Sequence, residues 1–252
     1  MKYSKWQLLL IVLFLCLGAA GAALSVKPLV FRMEKGYEIK KEVHQYKVAL
    51  ETVQKVSEEK QEPIPFEQLF NDIRHYNISL FTCKQNGLSS KSAYEQSPLT
   101  LTEYGFPNEK FGIITIPKID LEMPLFLGAS EENMAAGAAV LSQTSIPIGG
   151  DSTNAVIAGH RGWNGYPYFL DIEKLEVGDQ IHIINVWGKL VYEVSEIKIV
   201  NPNDVSAILI QPGRDLITLL TCHPPNTGGR YRYLVYCERV DTNAVIGTEH
   251  YN

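Results

Sequence analysis

Three kinds of reactive or charged side chain stand at the ends of predicted strands in the second half of this 252-residue chain. Cys222 closes DLITLLTC, a run that is apolar on both faces, and the loop HPPNTGG follows at once. His160 closes the run NAVIAGH in the same way. Arg230 and Arg232 follow the loop two residues apart, and are therefore predicted to share one face of the next strand. Together they predict nucleophilic thiol chemistry, because a thiol becomes reactive beside a base or a cation.

Each of these residues also has a plainer interpretation. A free cysteine at a strand end often packs as a small apolar group, but the loop directly after Cys222 favours a thiol that a ligand can reach. His160 is the candidate base, whereas His223 is a poor one because adjacent strand residues point to opposite faces. An arginine could stabilise the oxyanion formed when a thiolate attacks an amide carbonyl. A solvated edge strand would explain the two arginines equally well.

Composition narrows the function classes. The chain is 45% hydrophobic and 20% charged, with a formal net charge of -5, as in ordinary globular proteins. This charge argues against nucleic-acid binding, which usually relies on a basic patch. The sequence has no CxxC pair and no Cys/His cluster with zinc-site spacing. Neither a metal nor another cofactor is therefore expected.

The amino-terminal segment differs from the rest. Lys2 and Lys5 precede an uncharged, mainly apolar stretch from Trp6 to Val26, which is long enough to cross a bilayer. The lysines place the amino terminus inside, so residues 1–28 predict a membrane anchor with the remainder extracellular. A cleaved signal peptide, with AAGAA as its processing site, is the alternative. The remainder is exported in either case.

Export affects how the cysteines are interpreted. Cys16 lies in the apolar segment, which leaves Cys83, Cys222 and Cys237 outside it. An odd number requires at least one free thiol or a bond to another chain. One extracellular thiol therefore needs an explanation of its own.

Residues 29–108 predict helices followed by a loop. Apolar residues spaced three and four apart indicate a helical stripe: Ile39, Val43, Tyr46, Leu50 and Val53. The segment QEPIP interrupts this helix, and FEQLFNDIRHYNISLF resumes it. Residues 84–110 are rich in turn-forming residues and predict a loop. The sequence leaves open whether the helices pack on the following domain or form a stalk above the membrane.

Residues 109–245 change to a pattern of many short strands. Apolar and β-branched runs recur with little helix between them: FGIITIPKIDLEMPLFLG, NAVIAGH, DQIHIINVWGKLVYEVSEIKIV, DLITLLTC and YRYLVYCERV. This pattern is typical of a mainly β domain, either a closed barrel or a sandwich.

The motifs around the candidate residues resemble the sortases, the cell-surface transpeptidases of Gram-positive bacteria. TLLTC matches the TLxTC signature of that family, NAVIAGHRG is similar to its histidine segment, and RYLVYCER is similar to its arginine strand. FGIITIPKIDLEMPLFLGAS resembles its opening barrel strands. The likeness covers roughly residues 110 to 240. It implies a closed β-barrel of eight strands, preceded here by helices and the anchor.

The resemblance also implies roles for the candidate residues. Cys222 would be the nucleophile and His160 the proton carrier for the leaving amine. Arg232 would hold the substrate carbonyl or oxyanion; it is preferred to Arg230 because three apolar residues follow the family's arginine, although Arg230 stays possible. The positive charges of His160 and Arg232 are expected to favour the thiolate.

The reaction implied by the resemblance has two steps. Cys222 attacks the Thr–Gly-type carbonyl of an LPxTG-like sorting signal and forms a thioester. An amine, either a pilin lysine or the amino group of a cell-wall cross-bridge, then attacks the thioester. The apolar barrel wall would bind the Leu and Pro of the signal. The expected substrate contacts are Thr221, Arg230, Leu220 and Leu234.

Within the family, the sequence is most similar to class C, the pilin-polymerising sortases. The stretches NISLF and LTEYGFPNEKFGIITIPKI carry this likeness. Three features differ from the usual class C pattern. Residues 60–110 contain no Asp-Pro-aromatic lid motif, no second apolar segment follows Val240, and the loop HPPNTGG differs from the usual class C loop sequence. A housekeeping-type sortase that anchors proteins to peptidoglycan, or a class D-like relative, is the alternative. Without a lid, Cys222 should be reachable without a loop opening.

Two other functions compete with a transpeptidase. One is an exported Cys-His hydrolase, but papain-like enzymes place Cys before His, and the QACxG pentapeptide of caspase-like enzymes is absent. The other is a non-catalytic β domain that binds a surface partner, with Cys222 as a structural residue.

Overall fold

The computed structural model describes residues 4–60, 64–89, 94–225 and 227–240. Its α-helices are α1 (Lys5–Lys60), α2 (Glu67–Thr82) and α3 (Glu131–Ala136). Its strands are β1 (Lys110–Ile116), β2 (Leu121–Leu127), β3 (Ala138–Val140), β4 (Thr153–Ala158), β5 (Arg161–Trp163), β6 (Tyr166–Tyr168), β7 (Gln180–Asn185), β8 (Gly188–Val200), β9 (Asp215–His223) and β10 (Tyr231–Arg239).

Eight of these strands form a closed barrel in the order β1-β2-β3-β4-β9-β10-β8-β7. This arrangement confirms the predicted closed eight-stranded barrel. β9 lies between β4, with which it pairs in parallel, and β10, with which it pairs antiparallel. β5 and β6 form a separate two-stranded sheet directly after β4. The end of β4, the end of β9 and the start of β10 therefore meet at one end of the barrel.

Alternation along the strands produces two apolar layers. Ile157 of β4, Leu219 of β9 and Val235 of β10 are fully buried and face the barrel interior. The alternate residues face outward into a second cluster, which we call the outer-face cluster. Its buried members are Leu88, Leu141, Val156, Ala158, Ile208, Leu234 and Tyr236, and Leu220 packs against them.

The two long helices pack against the barrel. Ile39, Val43, Tyr46 and Leu50 of the predicted stripe are buried, and the Tyr46 hydroxyl donates to the backbone oxygen of Phe111 at 2.5 Å. α2 buries Leu69, Phe70 and Ile73 in the same core. The second half of α1 and α2 therefore pack on the barrel domain and do not form a separate stalk.

The predicted boundary at residue 28 lies inside α1, which runs without interruption from Lys5 to Lys60. Over the described residues, no helix is both long and apolar enough to span a membrane. The barrel strands run from Lys110 to Arg239, and residues 241–245 of the predicted domain lie outside the described residues.

The described part of the predicted loop over residues 84–110 includes the short 3₁₀ helices Asn86–Ser89 and Leu101–Tyr104. Residues 90–93 lie outside the part of the chain that the structure describes. On either side of them, Leu88 is buried in the outer-face cluster and Tyr94 packs against it.

Candidate active site

Cys222 is exposed near the end of β9. The residue before it, Thr221, is buried, and its hydroxyl donates to the backbone oxygen of Gly159 at 2.7 Å. This bond ties the end of β9 to the segment that carries His160. The sulfur thus stands at the rim of the sheet on a strand whose inner residues are held in the core.

His160 lies beside Cys222 through the parallel pairing of β4 with β9. The last ladder pair is Ala158 with Leu220, and the amide of Gly159 donates to the backbone oxygen of Leu220 at 3.1 Å. His160 and Cys222 each lie two residues beyond that pair. The register therefore places both residues at the same end of neighbouring strands, across 62 residues of sequence.

Arg232 lies directly opposite Cys222 in the antiparallel ladder of β9 and β10. Cross-strand partners place their side chains on the same face. The Nη1 of Arg232 donates to the backbone oxygen of Gly229 at 2.7 Å and to that of Tyr231 at 3.1 Å. The half-buried guanidinium is thus fixed by the backbone of the loop that follows Cys222.

Gly229 separates the sulfur from the guanidinium. A Cβ atom at this position would lie 2.9 Å from Nη1 of Arg232 and 3.0 Å from Sγ of Cys222. Its φ of +76° also favours glycine. The glycine-rich end of HPPNTGG therefore leaves the space in which these two groups approach each other.

Arg230 is placed differently. It is exposed and precedes β10, which begins at Tyr231. The expectation that Arg230 and Arg232 share one strand face is wrong, because the chain is still turning at residue 230. The register with Cys222 favours Arg232 as the residue that faces the thiol.

The ring of His160 is packed between aromatic side chains. It stacks on Trp163, with centroids 5.2 Å apart and an interplanar angle of 20°, and meets the edge of Tyr168 at 5.7 Å. This burial lowers the pKa of His160 below its ordinary value of about 6.5. The neutral imidazole is therefore favoured at neutral pH, so His160 is suited to accept a proton. Of the two positive charges expected beside the thiol, only that of Arg232 is constant.

The other expected substrate contacts lie next to Cys222, but most are covered. Thr221 and Leu234 are buried at 1% and 0% exposure, and Leu220, the cross-strand partner of Leu234, is half-buried. Thr221 and Leu234 present no surface to a ligand in this structure, and they support the site from within the sheet.

Leu88 and Tyr94 cover the outer-face cluster. The Tyr94 hydroxyl donates to the backbone oxygen of Leu88, and the amide of Ala129 donates to the backbone oxygen of Tyr94 at 2.9 Å. The thiol itself is open, as expected without a lid. The apolar wall beside it is not, because these two side chains occupy the face that was expected to bind the Leu and Pro of a signal.

The remaining cysteines do not join this site. Cys16 and Cys83 are exposed and free, and Cys237 is fully buried in the interior, where burial raises the pKa of its thiol. No group of three potential metal ligands occurs among the residues that the structure describes. The thiol of Cys222 is thus distinguished by the histidine and the arginine beside it.

Several residues of the site belong to no motif that could be identified in the sequence. Trp163 stacks on His160, Tyr168 meets it edge to face, and the buried Arg161 forms an ion pair with Glu173. Only the position of Arg161 directly after His160 could have indicated it. Trp163 and Tyr168 are aromatic residues in a turn-rich segment, and nothing in the sequence sets them apart.

Comparisons with known proteins match the chain to one family. The family model described as the sortase domain matches residues 114–240. Sortase D of Bacillus subtilis (strain 168) is 31% identical over 131 residues, which cover 51% of this chain and 63% of that relative. The match therefore spans less than two thirds of its length.

Solved structures match over a longer part of the chain. Sortase C1 of GBS Pilus Island 1 superposes with a TM-score of 0.67 at 27% identity, covering 81% of this chain and 92% of the other. Sortase C of Streptococcus pneumoniae gives a TM-score of 0.64 at 28% identity, covering 80% and 97%. The likeness thus extends beyond the barrel into the helices before it.

Proposed function

Because the chain belongs to the sortase family, we propose that it is a cell-surface cysteine transpeptidase that cleaves an LPxTG-like sorting signal and transfers the acyl group to an amine. The observation that carries the proposal is the placement of Arg232 directly opposite Cys222, with His160 two residues after the end of the other neighbouring strand, β4. A cysteine with a purely structural role would require neither the arginine nor the histidine at these positions.

In the first step the sulfur of Cys222 attacks the Thr carbonyl carbon of the signal. His160 takes the thiol proton, and Arg232 stabilises the charge that develops on the carbonyl oxygen. When the C–N bond breaks, His160 gives that proton to the leaving amine. The product is a thioester between Cys222 and the threonine, with the charge and proton count unchanged.

In the second step an incoming amine attacks the thioester. The neutral imidazole of His160 accepts a proton from the attacking nitrogen and returns one to the sulfur as the C–S bond breaks. A new amide forms and the free thiol is restored. No metal or cofactor takes part in this proposed sequence.

We propose a pilin lysine as the acceptor. The supporting observation is the likeness to a sortase of a pilus island and to a sortase studied for its pilin substrate specificity, and this likeness covers about four fifths of the chain. Apolar residues of the signal would take the places of Leu88 and Tyr94 on the outer-face cluster, next to the thiol.

We also propose that residues 1–28 anchor the protein in the cell membrane with the barrel outside. The apolar side chains of α1 from Trp6 to Leu17 are exposed, and Lys2 and Lys5 precede them. Apolar side chains left exposed in this way favour a lipid environment. Membrane fractionation of the full chain and of a variant without residues 1–28 tests this, and recovery of both in the soluble fraction would contradict it.

The experiment for the activity uses the full chain in detergent with a sorting-signal peptide. One reaction contains hydroxylamine, a second contains a lysine-bearing pilin peptide, and a third contains a cross-bridge peptide. Mass spectrometry should find the hydroxamate and the lysine-linked product, and Cys222→Ala should form neither. Transfer to the cross-bridge peptide alone would favour wall anchoring.

Two outcomes would overturn the transpeptidase proposal. Cleavage by water without transfer to any amine would favour an exported Cys-His hydrolase. A Cys222 that reacts with neither the peptide nor a small alkylating reagent would favour a domain that only binds a surface partner.

A further inference from the structure

Each of the three proposed catalytic residues has a chain neighbour in a second cluster. Arg161 follows His160, His223 follows Cys222, and Tyr233 follows Arg232. The Cζ of Arg161 lies 5.4 Å from the ring centroid of Tyr233, and the ring of His223 lies 5.6 Å from it. Because adjacent residues of a strand point to opposite faces, His223 and Tyr233 lie behind the sheet that carries the catalytic side chains.

Arg161 is the central residue of this cluster. Its side chain is only 3% exposed, and its Nη2 forms an ion pair with Glu173, whose side chain is 48% exposed. Among the described residues, its Nε and Nη1 have no hydrogen-bond partner, and neither has Nδ1 of His223. A buried guanidinium with one carboxylate partner is costly for stability. Stability alone therefore does not account for an arginine at this position.

The contacts of Arg161 connect the three segments that carry or support the site. Its own strand, β5, begins directly after His160. Glu173 belongs to the 3₁₀ helix Leu170–Lys174, and Tyr233 belongs to β10. The amide of Phe169, just before that helix, donates to the backbone oxygen of His160 at 2.9 Å. The segment of Phe169 and the 3₁₀ helix thus binds the backbone of His160 through a hydrogen bond and the side chain of Arg161 through Glu173.

We propose that Arg161 is a positioning residue, which fixes the His160 imidazole relative to Cys222 and Arg232 through Glu173 and the ring of Tyr233. It touches neither the substrate nor the reacting atoms. This inference rests on the proposed function for its kinetic consequence, but the placement of the imidazole can be tested without any reaction.

The kinetic test compares three variants of the full chain. Arg161→Met keeps the length of the side chain and removes the guanidinium, and Glu173→Gln removes the carboxylate. Asp171→Asn is the matched control, because Asp171 lies on the same 3₁₀ helix but pairs with Lys174 at 3.0 Å. We expect kcat for transfer to fall roughly 10- to 100-fold in Arg161→Met with KM nearly unchanged, since small displacements of a catalytic group cost about that much. Glu173→Gln should fall in the same direction and Asp171→Asn should match the wild type.

The spectroscopic test observes the His160 imidazole by proton NMR, assigned with a His160→Gln variant. Stacking on Trp163 should displace its ring signals by the aromatic ring current. In Arg161→Met and Glu173→Gln we expect these signals to move towards those of an unstacked histidine, and in Asp171→Asn to stay in place. Glu173→Gln keeps the test decisive if Arg161→Met does not fold.

The proposal is overturned if the His160 signals are unchanged in both variants. It is also overturned if kcat per folded molecule, counted by active-site titration of the Cys222 thiol, equals that of the wild type. A wild-type protein that transfers no acyl group would overturn the proposed function, and the NMR comparison would still decide the role of Arg161.

Discussion

Cys222 and Arg232 are direct cross-strand partners on β9 and β10, and one point above Gly229 lies within 3.0 Å of both the sulfur and the guanidinium. The ladder therefore sets their separation. Arg230, two residues earlier, lies outside the strand and is exposed. The two arginines should consequently differ sharply in their effect on the reaction.

Arg232→Ala should lower kcat/KM for acyl transfer roughly 100- to 1,000-fold, the usual cost of removing a donor that stabilises an oxyanion. Arg230→Ala should stay within about threefold of the wild type, because an exposed charge outside the strand is screened by solvent. Steady-state kinetics with the same sorting-signal peptide measure both. If Arg230→Ala proved the more damaging variant, the arginine would have been assigned to the wrong residue.

Gly229→Ala should lower activity by roughly 100-fold, because the added methyl group would lie in the space between Sγ and Nη1 and displace both. Gly228→Ala is the matched control. Gly228 has a similar φ of +72°, but an added Cβ would meet nothing within 4 Å.

Both glycine variants should lose about 1–2 kcal/mol of unfolding free energy from the left-handed backbone, as chemical denaturation would show. Only Gly229→Ala should also lose activity per folded molecule. Equal activity in the two variants would show that backbone strain, and not the approach of the sulfur and the guanidinium, requires glycine at 229.

The acid limb of kcat/KM should have its midpoint below about 6.5, the ordinary pKa of histidine. Burial lowers the pKa of His160, so the neutral ring that accepts the thiol proton persists to lower pH than it would in water. Activity should rise with pH through this midpoint. The pH dependence of kcat/KM, together with an NMR titration of His160, measures it.

Trp163→Ala should move that midpoint upwards, because removal of the stacked ring exposes the imidazole to water and stabilises its charged form. Trp187→Phe is a suitable control, since Trp187 is buried and its ring packs against Phe70 of α2, whereas the ring contacts of His160 are Trp163 and Tyr168. A midpoint that moved downwards in Trp163→Ala would show that desolvation by this ring is not the cause of the lowered pKa.

Leu88→Ala should lower KM for the sorting-signal peptide. Leu88 is 3% exposed and covers the outer-face cluster on which the apolar residues of the signal are proposed to bind. If the substitution weakens the packing of residue 88 on the cluster by about 1 kcal/mol, the state in which this residue is displaced from the cluster is favoured roughly fivefold more. Phe81→Ala removes an apolar side chain from the exposed side of α2 and should leave KM unchanged. An increased KM in Leu88→Ala would indicate that Leu88 supports the binding surface.

Most of the strands and the reactive residues could be predicted because each depends on local patterns, whereas the closure of the barrel was implied only by the resemblance to the family. Alternation and β-branched runs identified the strands, and Cys222 and His160 each stand at the end of one. The register could not be predicted, because it depends on contacts between residues distant in sequence. The pairs of β4 with β9 are 62 residues apart, and those of β9 with β10 are 8 to 22 residues apart. The sequence alone therefore could not decide between Arg230 and Arg232.

Two other features escaped prediction for physical reasons. Leu88 lies in a segment of turn-forming residues, and nothing in its neighbours indicates that it packs on the barrel. Arg161 follows a predicted strand, where a charged residue normally faces solvent. Its burial depends on Glu173 and Tyr233, which lie 12 and 72 residues further along the chain.

The parallel pairing of β4 with β9 has a consequence for when the chemistry becomes possible. The histidine and the cysteine meet only after the intervening 61 residues have folded back and β9 has inserted between β4 and β10. Until then the sulfur belongs to an ordinary thiol with no base and no cation beside it. The rate at which a reagent labels this sulfur during refolding would therefore report when β9 inserts into the barrel. A nascent chain would not acylate itself or its neighbours before the barrel closes.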